Sequence, residues 1–225
     1  MKTLICIPCM DMVHTAFMQS LLSMRMVGEI RFSIACSSLV YDARNRLADQ
    51  AISGGFDRCL WLDSDMTFAP DTMERLSAHL DAGLEIVSGL YFTRKAPVTP
   101  VIYDNCGYYE ANGKVTPTAH SYLDYPKNQL VEIQGMGFGC VMHTVDLLKK
   151  VRERYGMPFT PVMGFGEDLS FCGRVIDSGS KIYADTSIKC GHIAQSLVNE
   201  ETYITMGGGA RVNAGPGQTG DPGQN

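Results

Sequence analysis

The sequence predicts an α/β fold, a mostly parallel sheet with helices on both faces. Three observations lead there. Short runs of apolar and β-branched residues alternate with segments whose apolar positions recur at helical spacing, three times in succession before Phe92. Glycine or proline punctuates the ends of the expected helices. A chain of 225 residues, 45% hydrophobic and 19% charged, is long enough to bury a substantial core.

The elements follow in order. TLICIP (3–8) reads as a first strand, and HTAFMQSLLSMRMV (14–27) as a helix with Phe17, Leu21 and Met24 on one face. IRFSIACS (30–37) is a second strand, followed by the helix YDARNRLADQAISGG (41–55), which two glycines end. FDRCLWLD (56–63) is a third strand. APDTMERLSAHLDAG (69–83) is a helix opened by Pro70 and Asp71, and LEIVSGLYF (84–92) is a fourth strand. The pattern then breaks into the short extended pieces VTPVIYD, GYYEANGKVTP and NQLVEIQ, with Asn112-Gly113 as a hairpin signal. We therefore expect a hairpin-rich insertion over 93–130. Alternation resumes with the strand GCVMHT (139–144), helices over 145–156 and 166–179, and the strand KIYAD (181–185). One domain is expected over 1–205, with the glycine-rich stretch 206–225 as a disordered tail.

Composition excludes several classes. No apolar run approaches the roughly 20 residues that cross a bilayer, and the N-terminus lacks the apolar core of a secretory signal. The eight cysteines are scattered through apolar segments, which fits reduced thiols in a cytoplasmic protein. A net charge of −5 argues against a protein that simply coats nucleic acid or anionic membrane.

The chemistry gathers at CLWLDSDMTF (59–68). Strand side chains alternate, so Asp63 and Asp65 are expected to point the same way past the strand's end, where α/β ligands bind. Like charges that close repel unless a cation stands between them. One or two carboxylates plus substrate phosphates is how a hard divalent ion is commonly held. A solvated turn is the plain alternative. Glu167 and Asp168 open a helix, which suits the helix dipole by up to about 1 kcal/mol and also suits a general base. His192, in KCGHIA, is a satisfied histidine or a third ligand; imidazole among oxygens shifts preference from Mg2+ towards Mn2+.

Taken together, IP after the first strand, DARN, LDSD, GMGFG, GED and a late GH resemble the GT-A glycosyltransferases, especially compact family-2-like members of phage and prophage genomes. The resemblance covers residues 2–195. It implies a GT-A fold and transfer of a hexose from a UDP-sugar; with Asp168 as the base, attack opposite the leaving group would invert the anomeric centre. It implies that Asp65 ligates the metal and that Asp63 lies nearer the ribose and metal shell. His192 then completes the metal set, and Asp168 with Glu167 forms the acid pair at the acceptor. Pro8 would border the base, and Arg44 the nucleotide or its diphosphate. Arg94, beside Lys95, would meet phosphate or simply be solvated, and the glycine loop with Gly137 and Phe138 would approach sugar or acceptor, although glycines also serve tight turns.

The phage-type relatives imply a hydroxymethylated pyrimidine in DNA as acceptor. KKVRER (149–154) would contact phosphate, and Tyr108, Tyr109 and Tyr122 would stack on bases; the plain alternative is a solvated helix face and tyrosines that fill a sheet. A cell-envelope glycan is the alternative acceptor, and a non-catalytic nucleotide- or glycan-binding module the alternative class. A nucleotidyltransferase or an NAD(P) reductase would carry a glycine-rich loop after the first strand, and CMDMVHTA (9–16) is not one.

Overall fold

The computed structural model describes residues 1–194; the expected tail and the expected domain end at residue 205 lie outside the described residues. In chain order the elements are β1 (Lys2–Cys9), α1 (Thr15–Ser23), β2 (Glu29–Cys36), α2 (Val40–Ser53), β3 (Arg58–Leu62), β4 (Met66–Thr67), α3 (Thr72–Asp81) and β5 (Ile86–Leu90). There follow β6 (Ile102–Ala111), β7 (Lys114–Ser121), β8 (Leu130–Ile133), β9 (Gly135–Met136), β10 (Cys140–Thr144), α4 (Val145–Tyr155), α5 (Glu167–Asp177), β11 (Ile182–Lys189) and β12 (Gly191–His192).

Alternation along the central strands divides the core into two layers. Leu4 and Cys6 of β1 and Cys59 and Trp61 of β3 face one layer, closed by Ala43 and Leu47 of α2, Leu148 of α4 and Phe171 of α5. Ile5, Ile7, Leu60 and Leu62 face the other, closed by Phe17 and Leu21 of α1 and Met73 and Leu76 of α3. A strand apolar on both faces needs helices on both, and the expected fold class is the observed one.

The main sheet has the order β2-β1-β3-β10-β5-β11-β8. Its pairs are parallel except where β10 meets β3 and β5 and where β8 meets β11. Reversal of β10 decides where the site lies. An antiparallel strand begins at the edge where its parallel neighbours end, so the glycine loop before β10 emerges beside the aspartates after β3. The backbone records the join: the Asp63 N–H donates to the Gly139 carbonyl at 3.1 Å.

β6 and β7 form the hairpin, and both turn residues are left-handed, Asn112 at φ 53° and Gly113 at φ 72°, as a two-residue turn of the primed kind needs. VTPVIYD and GYYEA run together into the single strand β6, whereas NQLVEIQ supplies β8 at the edge of the main sheet. α1 is shorter than the spacing predicts. It stops at Ser23 because Met24 turns extended into the core and the Arg25 N–H bonds the Pro70 carbonyl.

Trp61, fully buried, donates its indole N–H to His143 Nε2 at 2.7 Å, and burial pushes the His143 pKa down to about 4, keeping that acceptor neutral. All eight cysteines are free thiols. Among the described residues no helix is long and apolar enough to cross a membrane.

Leu60→Ala, at a fully buried site in the middle of β3, should lower unfolding free energy by about 2–5 kcal/mol in urea titration. Leu130→Ala, at a half-exposed edge position, should change it by no more than about 1 kcal/mol. Similar losses at the two sites would contradict the core assignment.

Candidate active site

β3 ends at Leu62, and the chain then turns, the Met66 N–H donating to the Asp63 carbonyl at 3.1 Å. That turn corrects the expectation that Asp63 and Asp65 share one strand face, since alternation holds only while the strand lasts. Asp63 continues towards the α2–α5 layer and meets Arg44, Nη2 to Oδ1 at 2.9 Å. Asp65 turns to Arg94 and His192.

Arg44 rises from α2 into the core with a side chain only 3% exposed. Besides Asp63 it bonds Glu167 at the first turn of α5, Nε to Oε1 at 3.2 Å. Its guanidinium lies over the Phe138 ring at 5.3 Å, and Nη1 is buried without a partner among the described residues. With two nitrogens given to carboxylates, Arg44 is a tie between the β3 turn and α5 rather than an open phosphate ligand. Burial pushes the Asp63 carboxyl up, against the pull of Arg44.

Asp168 stands beside this pair without a cation of its own. Its Oδ1 accepts the Leu169 N–H at 2.7 Å, while burial and the neighbouring Glu167 charge raise its pKa to about 6. Two adjacent acids thereby acquire different characters, Glu167 tied to Arg44 and Asp168 poised near neutrality.

His192 is brought to the aspartate turn by a short ladder. β12 pairs antiparallel with β4, His192 opposite Met66, and the Ile193 N–H donates to the Asp65 carbonyl at 2.8 Å. His192 Nδ1 donates to the Phe92 carbonyl at 2.8 Å, which directs Nε2 to Asp65 Oδ2 at 3.5 Å. Asp65 raises the His192 pKa. Burial works to raise that of Asp65, but the hydrogen bond and charge of His192, with the charge of Arg94, hold it below the usual range. Arg94 Nη1 lies 2.6 Å from the same Oδ2.

Other expected residues have different fates. Pro8 is buried within β1, opposite Ala35, with the loop starting only after Cys9. Phe138 is 1% exposed, packed edge-on against Trp61, Phe159 and Phe171, so its ring belongs to the core and not to a sugar. A Cβ on Gly137 would overlap the Tyr91 hydroxyl, which accepts the Gly139 N–H at 3.2 Å. The loop's glycines thus admit the chain's own side chains. Tyr91 also meets His192 edge-to-face at 5.4 Å. It went unnoticed in the sequence, where a tyrosine at a strand end carries no distinguishing signal.

The basic run of α4 is already matched within the fold. Lys149 pairs with Asp146, Arg152 with Asp49 and Arg154 with Asp177, and Lys150 bonds Ser180. Tyr108 leans on Phe165 at 5.2 Å, while Tyr109 is 65% exposed.

Among the described residues no group of three or more His, Cys, Asp or Glu side chains is arranged to hold a metal. Asp65 and His192 make a pair of mixed oxygen and nitrogen donors, which fits a divalent ion whose remaining ligands come from a diphosphate.

No family model matches the sequence, and no curated protein matches it significantly. Solved structures do match. The crystal structure of A197 from STIV aligns with a TM-score of 0.61 at 20% identity, over 87% of this chain and 87% of that one. GalNAc-T7, crystallised with UDP, GalNAc and Mn2+, aligns with a TM-score of 0.57 at 12% identity over 87% of this chain. This chain spans 43% of the length of GalNAc-T7. The fold is the GT-A fold of glycosyltransferases.

Arg44→Met would leave Asp63 and Glu167 without their shared cation. Urea unfolding at pH 7 should show a loss of about 3 kcal/mol, and a smaller one at acid pH, where Asp63, whose carboxyl burial already pushes up, takes up a proton. An equal loss at both pH values would mean that Arg44 acts through packing alone.

Proposed function

We propose that this protein is a metal-dependent glycosyltransferase that moves a hexose from a UDP-sugar to an acceptor hydroxyl with inversion. One observation carries the reading: two carboxylate sites of opposite character meet at one edge of the sheet. Asp65 is held acidic beside His192, and Asp168 is held near neutrality beside Glu167. Arg44 joins them through Asp63 and Glu167. The GT-A fold, and a solved neighbour holding UDP and Mn2+, support the donor and the metal.

When bound at Asp65 and His192, a divalent ion would supply positive charge to the departing diphosphate. The chain's own residues do the rest. Asp168 takes the proton from the acceptor hydroxyl as that oxygen bonds to the anomeric carbon and the sugar–phosphate bond breaks. A pKa of about 6 leaves it ionised at pH 7 yet basic enough to accept a proton. Attack on the face opposite the leaving group inverts the centre. Glu167, bound to Arg44, fixes the first turn of α5 and so the position of Asp168.

For the acceptor, 5-hydroxymethylpyrimidine in DNA draws support from the exposed ring of Tyr109. A glycan acceptor is favoured by two other facts. The α4 cations are already paired. A cleft of ≈ 570 Å³ on the hairpin is lined by Tyr109, Asn105, Thr116, Thr118 and His120, with no Lys or Arg among the described residues that line it. Incubating the protein and Mn2+ with a panel of UDP-sugars, against hydroxymethylated DNA and simple glycans, tests both by mass spectrometry. Transfer to neither, together with no UDP binding, would reject the proposal.

Asp168→Asn should lower kcat by about 10²–10⁴ while UDP affinity holds. In the unsubstituted protein kcat should climb with pH and level off above about 6, where Asp168 has lost its proton. Stability carries the opposite sign. A carboxyl raised on folding stabilises the protonated protein, and that contribution is lost as pH rises through about 6. Asp168→Asn should therefore gain stability relative to the parent between pH 4 and pH 7. A flat difference would remove Asp168 from its buried, base-like role.

A further inference from the structure

A guanidinium and an imidazole converge on one oxygen. Asp65 Oδ2 lies 2.6 Å from Arg94 Nη1 and 3.5 Å from His192 Nε2. We propose that Arg94 is a built-in substitute for the divalent cation. It holds Asp65 Oδ2 until ion and diphosphate arrive together, then exchanges that carboxylate for the diphosphate. The inference rests on the functional reading above and adds a regulation to it: Arg94 makes metal binding and donor binding depend on each other.

The geometry supports an exchange rather than a permanent pair. An ion held by Asp65 and His192 would take the carboxylate oxygen that faces the imidazole, and that is the one Arg94 holds. A guanidinium and a divalent ion cannot share it closely, because like charges repel. The acid and the imidazole are fixed, with side chains 19% and 18% exposed, whereas that of Arg94 is 52% exposed and is the member free to leave.

The loop that bears Arg94 is built for such a motion. Its neck is closed by the Thr93 N–H on the Thr99 carbonyl at 2.9 Å and the Val101 N–H on the Tyr91 carbonyl at 3.0 Å. Residues 94–98 above that neck are exposed. The same neck fixes His192 through the Phe92 carbonyl, so Arg94 can swing while the imidazole stays in place. Once released, a planar guanidinium suits phosphate oxygens bidentately. Metal alone must displace Arg94 into water, whereas metal with diphosphate offers it a new anion. That difference is a coupling free energy between two ligands, and it is reciprocal.

The test is electron paramagnetic resonance titration of Mn2+, with and without UDP, on the parent protein, Arg94→Ala and Arg94→Lys. Without UDP, Arg94→Ala should bind Mn2+ about three- to fivefold tighter, the scale of an exposed ion pair removed. With UDP, the gain in Mn2+ affinity that UDP confers should fall about tenfold, the scale of a charged hydrogen bond lost. Arg94→Lys should lie between. Mn2+ binding by Arg94→Ala that is unchanged or weaker without UDP, or an unchanged gain from UDP, overturns the exchange and leaves the glycosyltransferase reading standing. No Mn2+ on any of the three proteins, with or without UDP, overturns that reading and this inference together.

Discussion

The buried guanidinium of Arg44 is the contact on which the geometry of the site depends. It stands where three parts of the chain meet: the face of α2, the turn after β3, and the first turn of α5. Removing a cation from water is expensive unless its charge is answered, and here two carboxylates and the faces of Phe138 and Trp61 answer it. Such an arrangement adds little net stability compared with a well-packed apolar core. What it provides is registry, because the acids of two distant segments must find the same five donors. Through that registry Asp63 and Glu167 set the spacing between the side of the site that holds Asp65 and His192 and the side that holds Asp168.

The sheet supplies the second constraint. Had β10 run parallel to β3, the glycine loop would have emerged at the opposite edge. Reversal puts Gly139 against Asp63 and Tyr91 against both, so one edge collects the ends of β3 and β5, the start of β10 and the β4–β12 ladder. The two cationic side chains at the site divide their work by burial. Arg44 is sealed in and ties segments together, and Arg94 is open to solvent.

Much of this was legible in the sequence. The unbroken apolar runs LICI and CLWL encoded strands apolar on both faces, and Asn112-Gly113 encoded the hairpin because few other pairs accept two left-handed residues. The aspartate pair, the late histidine and the helix-opening acids were found as candidates, and the structure brings Asp65 to His192 and Asp63 to Glu167 through Arg44. The failures share a physical cause. Whether Asp63 and Asp65 face together depends on where a strand ends, and hydrogen bonds to another strand decide that. Whether Arg44 is a ligand or a tie, and whether the α4 cations are free, depends on partners over a hundred residues away. Phe138 looked available because glycines flank it, yet those glycines make room for Tyr91, Val101 and Met66, and the ring turns inward.

That last feature reaches beyond this one molecule. Position 137 and position 91 occupy a single volume, in which a tyrosine hydroxyl fills what a methyl group elsewhere would take. Drift at either place is therefore constrained by the other: a bulkier residue at 137 is tolerable only where 91 has shrunk. Because the Tyr91 ring also backs His192, such a compensated pair would arrive with a loosened imidazole, and the cheapest evolutionary route through this loop would also alter how firmly His192 is held beside Asp65.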